Sequence, residues 1–229
     1  MTLAERIQRP TAERSGVPDY NVTTRKALAK SFIENVVLAQ YRQLTGWQEV
    51  TQQTSQIDSG YLGQHLVSLV SGTIGRGRGS RGKGFDLADG SEIKVASTLG
   101  GIDVPRWNHA SFSNQARVNA YLKNPFIYFV LFDTTERKQE FPLRIRVWRV
   151  SPTTDPAFTN VVRTWAARTS SGNFQLHPPC WRGDSIARNE CGNLELPLIF
   201  EAVQQEIPGV DFMKITHWNL SPGRSKNAP

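Results

Sequence analysis

Asp86, Glu92 and Lys94 are crowded into one short stretch, running from Gly82 to Ala96. It reads as two short strands joined by a tight turn. A three-residue loop of Ala88, Asp89 and Gly90 needs a left-handed residue at its end, and Gly90 takes that conformation without steric cost. In this register Leu87 pairs with Ser91, and Asp86 stands opposite Glu92. Lys94, two residues further on, shares their face because strand side chains alternate. Ile93 and Val95 point the other way, toward an apolar core. A two-residue loop of Asp89 and Gly90 would put Glu92 on the wrong face, so the convergence depends on the register. Two carboxylates and an ammonium at one spot suit a divalent cation. Mg²⁺ prefers oxygen ligands and keeps several waters. It polarises a phosphate and acidifies a water. A lysine beside it stabilises charge developing on phosphorus or orients the attacking water.

These groups must be held by the elements around them. Val22 to Leu44 reads as a helix, with Leu28, Phe32, Val36, Val37, Ala39 and Tyr41 forming an apolar stripe and Gly46 ending it. Gly60 to Val70 is a second helix, with Leu62, Leu66, Leu69 and Val70 on one face. Trp107 to Leu122 is expected to be helical, stopped by Asn124 and Pro125. Phe126 to Phe132 is an unbroken apolar run, a buried strand by length and composition. Leu143 to Val150 alternates as a strand does. Asp155 and Pro156 open a helix to about Arg168, with proline in its first turn. Leu194 to Phe200 and Phe212 to Trp218 read as strands, and Ser221 to Pro229 as a polar tail. The expected fold class is α/β (α+β), a central mixed β-sheet flanked by helices, in a single domain over 1–229 with its core at about 60–150. There is no internal repeat.

The Asp86, Glu92, Lys94 spacing resembles that of the PD-(D/E)xK nuclease superfamily, which includes most type II restriction endonucleases. Phe85 stands where the superfamily often has proline, and the gap from Asp86 to Glu92 is short for it. The order of helix, hairpin, helix, strand, strand matches the superfamily's common core. The resemblance implies a Mg²⁺-dependent, sequence-specific endonuclease of double-stranded DNA. Asp86 and Glu92 would bind the metal, and Lys94 would lie beside the attacked phosphate. It further implies a homodimer, because a palindrome's two-fold mirrors a protein two-fold. A Glu or Gln near the metals often lies on the helix before the hairpin, and Gln64 is that residue here; it also reads as a solvated side chain on a surface turn.

The rest of the chain fits a polyanionic partner. The 229 residues carry a net charge of +7, with ten percent aromatics. Between Gly75 and Gly84, Arg76, Arg78, Arg81 and Lys83 alternate with glycines, as in a basic loop that clamps a DNA backbone. It is neither a dinucleotide fingerprint, which needs a strand before and a helix after it, nor a P-loop, because Gly84 stands where a hydroxyl is required. Arg106, Trp107, Asn108 and His109, just past the Lys94 strand, are further candidate DNA contacts, Arg106 and Asn108 foremost. The stretch Arg182, Asp184, Arg188, Asn189, Glu190 and Asn193 offers side chains of the types that read base edges, arginine to guanine and asparagine to adenine, with Arg182, Arg188 and Asn189 taken as DNA contacts. The C-terminal part, about 151–229, would therefore contribute recognition.

His177, Cys180, Cys191 and His217 are better read as unrelated thiols and histidines than as a zinc set, since a Cys-x10-Cys spacing is unusual. Two cysteines imply no disulfide framework and fit a prokaryotic cytoplasm. No apolar run approaches the ~20 residues of a membrane span. Two other readings stay open: a structure-specific repair or junction nuclease, and a non-catalytic nucleic-acid-binding protein that uses the Arg/Gly loop.

Overall fold

The computed structural model describes residues 20–53, 57–76, 85–98, 104–112, 114–134, 143–168, 173–179, 185–207 and 210–220. A long helical segment comes first. It consists of α1 (Val22–Phe32), a π-helical turn (Ile33–Val37) and α2 (Leu38–Thr51). The Asn21 side chain caps its start, accepting from Thr24 N at 2.9 Å. The helix does not stop at Gly46. It runs on to Gln52, which is left-handed at φ 56°. A glycine inside a helix costs only about 1 kcal/mol relative to alanine, and the turns on both sides outweigh that. The π-turn buries Ile33 and Val37. Its Glu34 reaches sideways and accepts the Met213 N–H at 2.9 Å.

The centre is a five-stranded sheet in the order β1-β3-β4-β8-β9. The strands are β1 (Glu92–Ser97), β3 (Ile127–Asp133), β4 (Arg144–Val150), β8 (Leu198–Ile207) and β9 (Val210–Trp218). β1 runs parallel to β3, and the other neighbours are antiparallel. β1 and β9 are thus the sheet's edges. β8 and β9 complete the sheet, so the structural core extends well past residue 150 into the C-terminal part.

Period-two alternation divides the sheet residues between two apolar clusters. Ile93, Tyr128, Val130, Phe132, Ile145 and Val147 face α1, α2 and α3 (Ser59–Ser71). Ala96, Phe129, Leu131 and Trp148 face the opposite layer. That layer holds α4 (Gln115–Tyr121), α5 (Pro156–Arg168) and two strand pairs. One pair is β2 (Trp107–Ser111) with β5 (Asn173–Leu176); the other is β6 (Ile186–Asn189) with β7 (Gly192–Glu195). The architecture is the expected mixed α/β sheet flanked by helices.

The helix expected over Trp107 to Leu122 is instead a strand followed by a short helix. Trp107 and His109 are buried while Asn108 between them is exposed, the alternation of a strand. The Trp107 indole donates to Val130 O at 2.8 Å and pins β2 against β3. Asn114 then starts α4 by accepting Arg117 N at 3.0 Å. Helical spacing of Phe112, Val118 and Tyr121 hid this break.

Candidate active site

Asp86 lies in a turn, not on a strand. The amides of Asp86 and Leu87 both donate to Ser91 O at 3.1 Å, and Gly90 adopts φ 89°. This is the three-residue loop register. No ladder runs from Asp86 to Glu92, however. The turn is fixed from the other side, where Leu87 bridges Gly75 and Ala88 N donates to Ile74 O at 2.8 Å. The Asp86 carboxylate takes the place of the missing strand: its Oδ2 accepts the outward N–H of Ile93 at 2.8 Å. Gln64 Nε2 donates to the other oxygen, Oδ1, at 2.8 Å.

Gln64 reaches Asp86 because α3 lies very close to β1. A Cβ on Gly63 would stand 2.3 Å from Val95 Cγ2, so only glycine permits that approach. Arg25 supports the far end of the same helix, donating from Nη1 to Val70 O at 3.0 Å.

Glu92 and Lys94 share a face of β1, with Ile93 and Val95 on the other. Glu92 N donates to Phe126 O at 3.0 Å, which fastens the start of the strand to its neighbour. Lys94 Nζ donates to Glu92 Oε1 at 2.6 Å, and both side chains are largely buried. Burial pushes the Glu92 carboxyl above its ordinary range; Lys94 pulls it back, and the charge of Asp86 adds to the rise. Two groups on the opposite layer feel this charge pair. His109 is driven well below its usual value by burial and by Lys94. Tyr121 is driven well above its own by burial and by Glu92. The two are hydrogen-bonded through His109 Nδ1 and the Tyr121 hydroxyl. Sequence reading missed this pair, because it set His109 among the candidate DNA contacts and Tyr121 in the core of a longer helix.

The donor set fits a hard cation. Among the described residues no three His, Cys, Asp or Glu side chains converge on one point. What the edge of β1 offers is two carboxylates with an amide side chain beside them. That is too little for an all-protein cage, but it is what Mg²⁺ takes when waters and substrate phosphates complete its shell. A desolvated Glu92 held above its normal range is also a carboxylate whose charge the protein alone compensates incompletely.

The expected DNA-contact residues are scattered. Arg76 is exposed beside the Asp86 turn, with its guanidinium 5.8 Å from the Phe85 ring centroid. Arg78, Arg81, Lys83 and Arg182 lie outside the described residues, as does Cys180. Arg106 is exposed just ahead of β2; Asn108 on that strand and Arg188 on β6 are exposed too, whereas Trp107 and His109, also expected to touch DNA, are buried against the central sheet because they fall on the inner face of β2. Asn189 is committed internally: its Oδ1 accepts Cys191 N at 2.7 Å, and its Nδ2 donates to Gln175 O. Of the residues weighed as a zinc set, His217 Nε2 sits 3.0 Å from Leu198 O, and Cys191 Sγ lies 3.8 Å from Arg168 Nη1.

A mixed sheet between helical layers, with Asp86, Glu92 and Lys94 gathered at its edge strand, is a restriction-endonuclease-like core. The chain belongs to the MamI restriction endonuclease family, whose family model matches residues 46–213. It is similar to the type II restriction enzyme MamI of Microbacterium ammoniaphilum, at 36% identity over 179 residues. That match covers 71% of this chain and 58% of the relative, so the chain spans little more than half the length of the curated protein it matches. No solved structure matches it.

Proposed function

We propose that this chain is a Mg²⁺-dependent, sequence-specific endonuclease that hydrolyses phosphodiester bonds in double-stranded DNA. The observation that carries this is the gathering of Gln64, Asp86, Glu92 and Lys94 at the edge strand β1. Asp86 and Glu92 would hold the cation, and Gln64 is placed to fix the Asp86 carboxylate or to join it as an oxygen donor after an amide turn. When bound, Mg²⁺ supplies Lewis acidity toward the scissile phosphate. Lys94 does the rest at close range. Once it leaves Glu92 Oε1, its ammonium stabilises the negative charge that builds on the phosphate oxygens and orients water for in-line attack. The leaving group is the 3′ oxygen. The net charge of +7 supports attraction to duplex DNA, with Arg76 beside the turn contributing to the backbone contacts. Membership of a type II family supports action as a homodimer, one site per strand, and the two cysteines and the DNA substrate support a cytoplasmic place of work. None of the helices among the described residues is long and apolar enough to cross a membrane.

The test is a plasmid digest with Mg²⁺ or with EDTA, run beside Glu92→Ala. Discrete fragments that need both Mg²⁺ and Glu92 are expected. Retained salt-sensitive binding without cleavage, on methylated and unmethylated DNA alike, would turn the reading to a binding protein. Cleavage confined to junctions or flaps would turn it to a repair nuclease.

A further inference from the structure

The strand pairs of the outer layer form a second surface that the site at β1 does not use. β2 pairs with β5, β6 with β7, and His177 at the end of β5 bridges Arg188 of β6 through two backbone hydrogen bonds of 2.8 and 2.9 Å. This single bridge sets the two pairs edge to edge in one layer, with β6–β7 still a two-stranded ribbon at its side. Its inner face is apolar: Trp107, Leu176, Ala187 and Leu194 are all buried. Its outer face gathers side chains far apart in sequence. Asn108 pairs with Gln175, and Arg188 lies between His177 and Asn193. Among the described residues none of these five side chains has a hydrogen bond or ion pair to the protein.

We infer that this outer face is a base-reading surface that enters the major groove of duplex DNA, with Arg188 and Asn193 as the residues that discriminate bases. The inference rests on the proposed reading that the chain acts on duplex DNA.

Three features support it. The first is shape. The major groove admits a two-stranded β-ribbon, and β6–β7 is one. Neighbouring strands lie about 4.8 Å apart, so the row His177, Arg188, Asn193 spans about 10 Å. At a rise of about 3.4 Å per step, that is close to three base pairs. The second is chemistry. A guanidinium pairs in two places with guanine, and an amide does the same with adenine. The face carries one guanidinium, three amides and an imidazole; Glu195, opposite Ile186, marks its far end. The third is rigidity. Asn189 ties the hairpin to β5, and Arg168 Nη1 of α5 donates to Glu190 O at the tip at 3.4 Å. A ribbon fixed before binding loses little freedom on binding. Asn189 is thus the brace, and Asn193, which shares its hairpin, is the reader.

The experiment is a binding selection from random duplexes in EDTA, so that cleavage plays no part. Wild-type protein is compared with Arg188→Ala, Arg188→Lys and Asn193→Ala, all at exposed positions. Wild type should enrich a defined motif. Arg188→Ala should lose discrimination at one position by on the order of 5- to 150-fold, with the other positions kept. Arg188→Lys should not restore it, since lysine lacks the planar fork. Asn193→Ala should relax a neighbouring position. The proposal is overturned if both alanine variants enrich the wild-type motif undiminished. A uniform weakening on all sequences would also overturn it, because that is the mark of a phosphate contact. A wild type that enriches no motif counts against it equally. A clear motif without Mg²⁺-dependent cleavage in the plasmid digest would leave the reading surface standing and remove only the nuclease.

Discussion

Two carboxylate–cation pairs on the central sheet look alike and behave in opposite ways. Glu92–Lys94 on β1 and Glu201–Arg144 between β8 and β4 each have a closest approach of 2.6 Å, and their side-chain exposures are nearly equal. Yet Glu92 is held above the usual carboxylate range and Glu201 below it. The difference lies in how much water each acid has lost, which is more for Glu92, and in what else each acid touches. For Glu201, burial alone would raise the value. Against it stand the Thr216 hydroxyl at 2.7 Å, a second Arg144 nitrogen at 2.7 Å and the charge of Arg146. Glu92 has one ammonium, and Asp86 repels it. Glu201 is fully provided with donors and serves the fold. Glu92 is short of positive charge, which suits the cation-binding role proposed for it.

Neutralising each acid in turn gives the largest expected contrast. Glu92→Gln should lower Mg²⁺-dependent plasmid cleavage by at least about 10²–10³-fold, the order associated with losing one charge-stabilising group. Glu201→Gln should keep cleavage within a few-fold. Next comes the packing that delivers Gln64. Gly63→Ala should push α3 from β1, lowering cleavage by about 10²-fold through misplacement and stability by about 1–3 kcal/mol through overpacking. Urea melts would read the second effect.

Stability should then sort the two acids the other way round. Glu201→Gln should cost about 1–3 kcal/mol through its unpaired hydrogen-bonding partners, whereas Glu92→Gln should cost less, because it also removes a desolvated charge. The smallest effect is in pH. A carboxyl with a raised value in the folded state binds its proton more readily there, so Glu92 gives no stability on ionising, and folding weakens as pH rises through that value. Glu201 is the reverse. Its contribution is present above the unfolded value and is lost as pH falls through the lower folded one. Cation affinity should therefore decline on acidification at a higher pH than for an ordinary glutamate, measurable as Mg²⁺ titrations of cleavage at stepped pH.

Much of this was legible in the residues. The buried run at Ile127–Asp133 and the Asp155–Pro156 helix start are local signals, and the strand and the helix lie where those signals put them. The register that brings Asp86 toward Glu92 was one of two that Gly90 allows, and the structure adopts it through the Leu87 amide on Ser91 O. The second strand of the expected hairpin formed, but among the described residues no strand runs through Asp86, where an aspartate oxygen satisfies the Ile93 amide that a partner strand would have bonded. That substitution is a three-dimensional event with no one-dimensional mark. Trp107 to Ser111 was read as helix because its alternation is only five residues long and runs directly into helically spaced apolar residues. The second polar face was legible only in pieces: Asn108, Arg188 and Asn193 stood out by type, and Arg188 and Asn193 meet across one hairpin, but the bridge from His177 to Arg188 that brings β5 and β2 alongside has no mark in the sequence.

Both rims of the sheet end in the same way. Asp86 covers an N–H of β1, and Glu34 covers an N–H of β9. A strand of another molecule laid along either rim would meet a carboxylate where it needs to offer its own carbonyl, a common guard against edge-to-edge aggregation. Asp86 thus protects solubility at the same time as it serves the proposed chemistry. Asp86→Ala would open one rim to self-association in concentrated solution, so a lost activity could be mistaken for a lost sample. Asp86→Asn keeps an oxygen on the Ile93 amide, and it is the inactive form to choose for holding intact DNA at the concentrations that structural work requires.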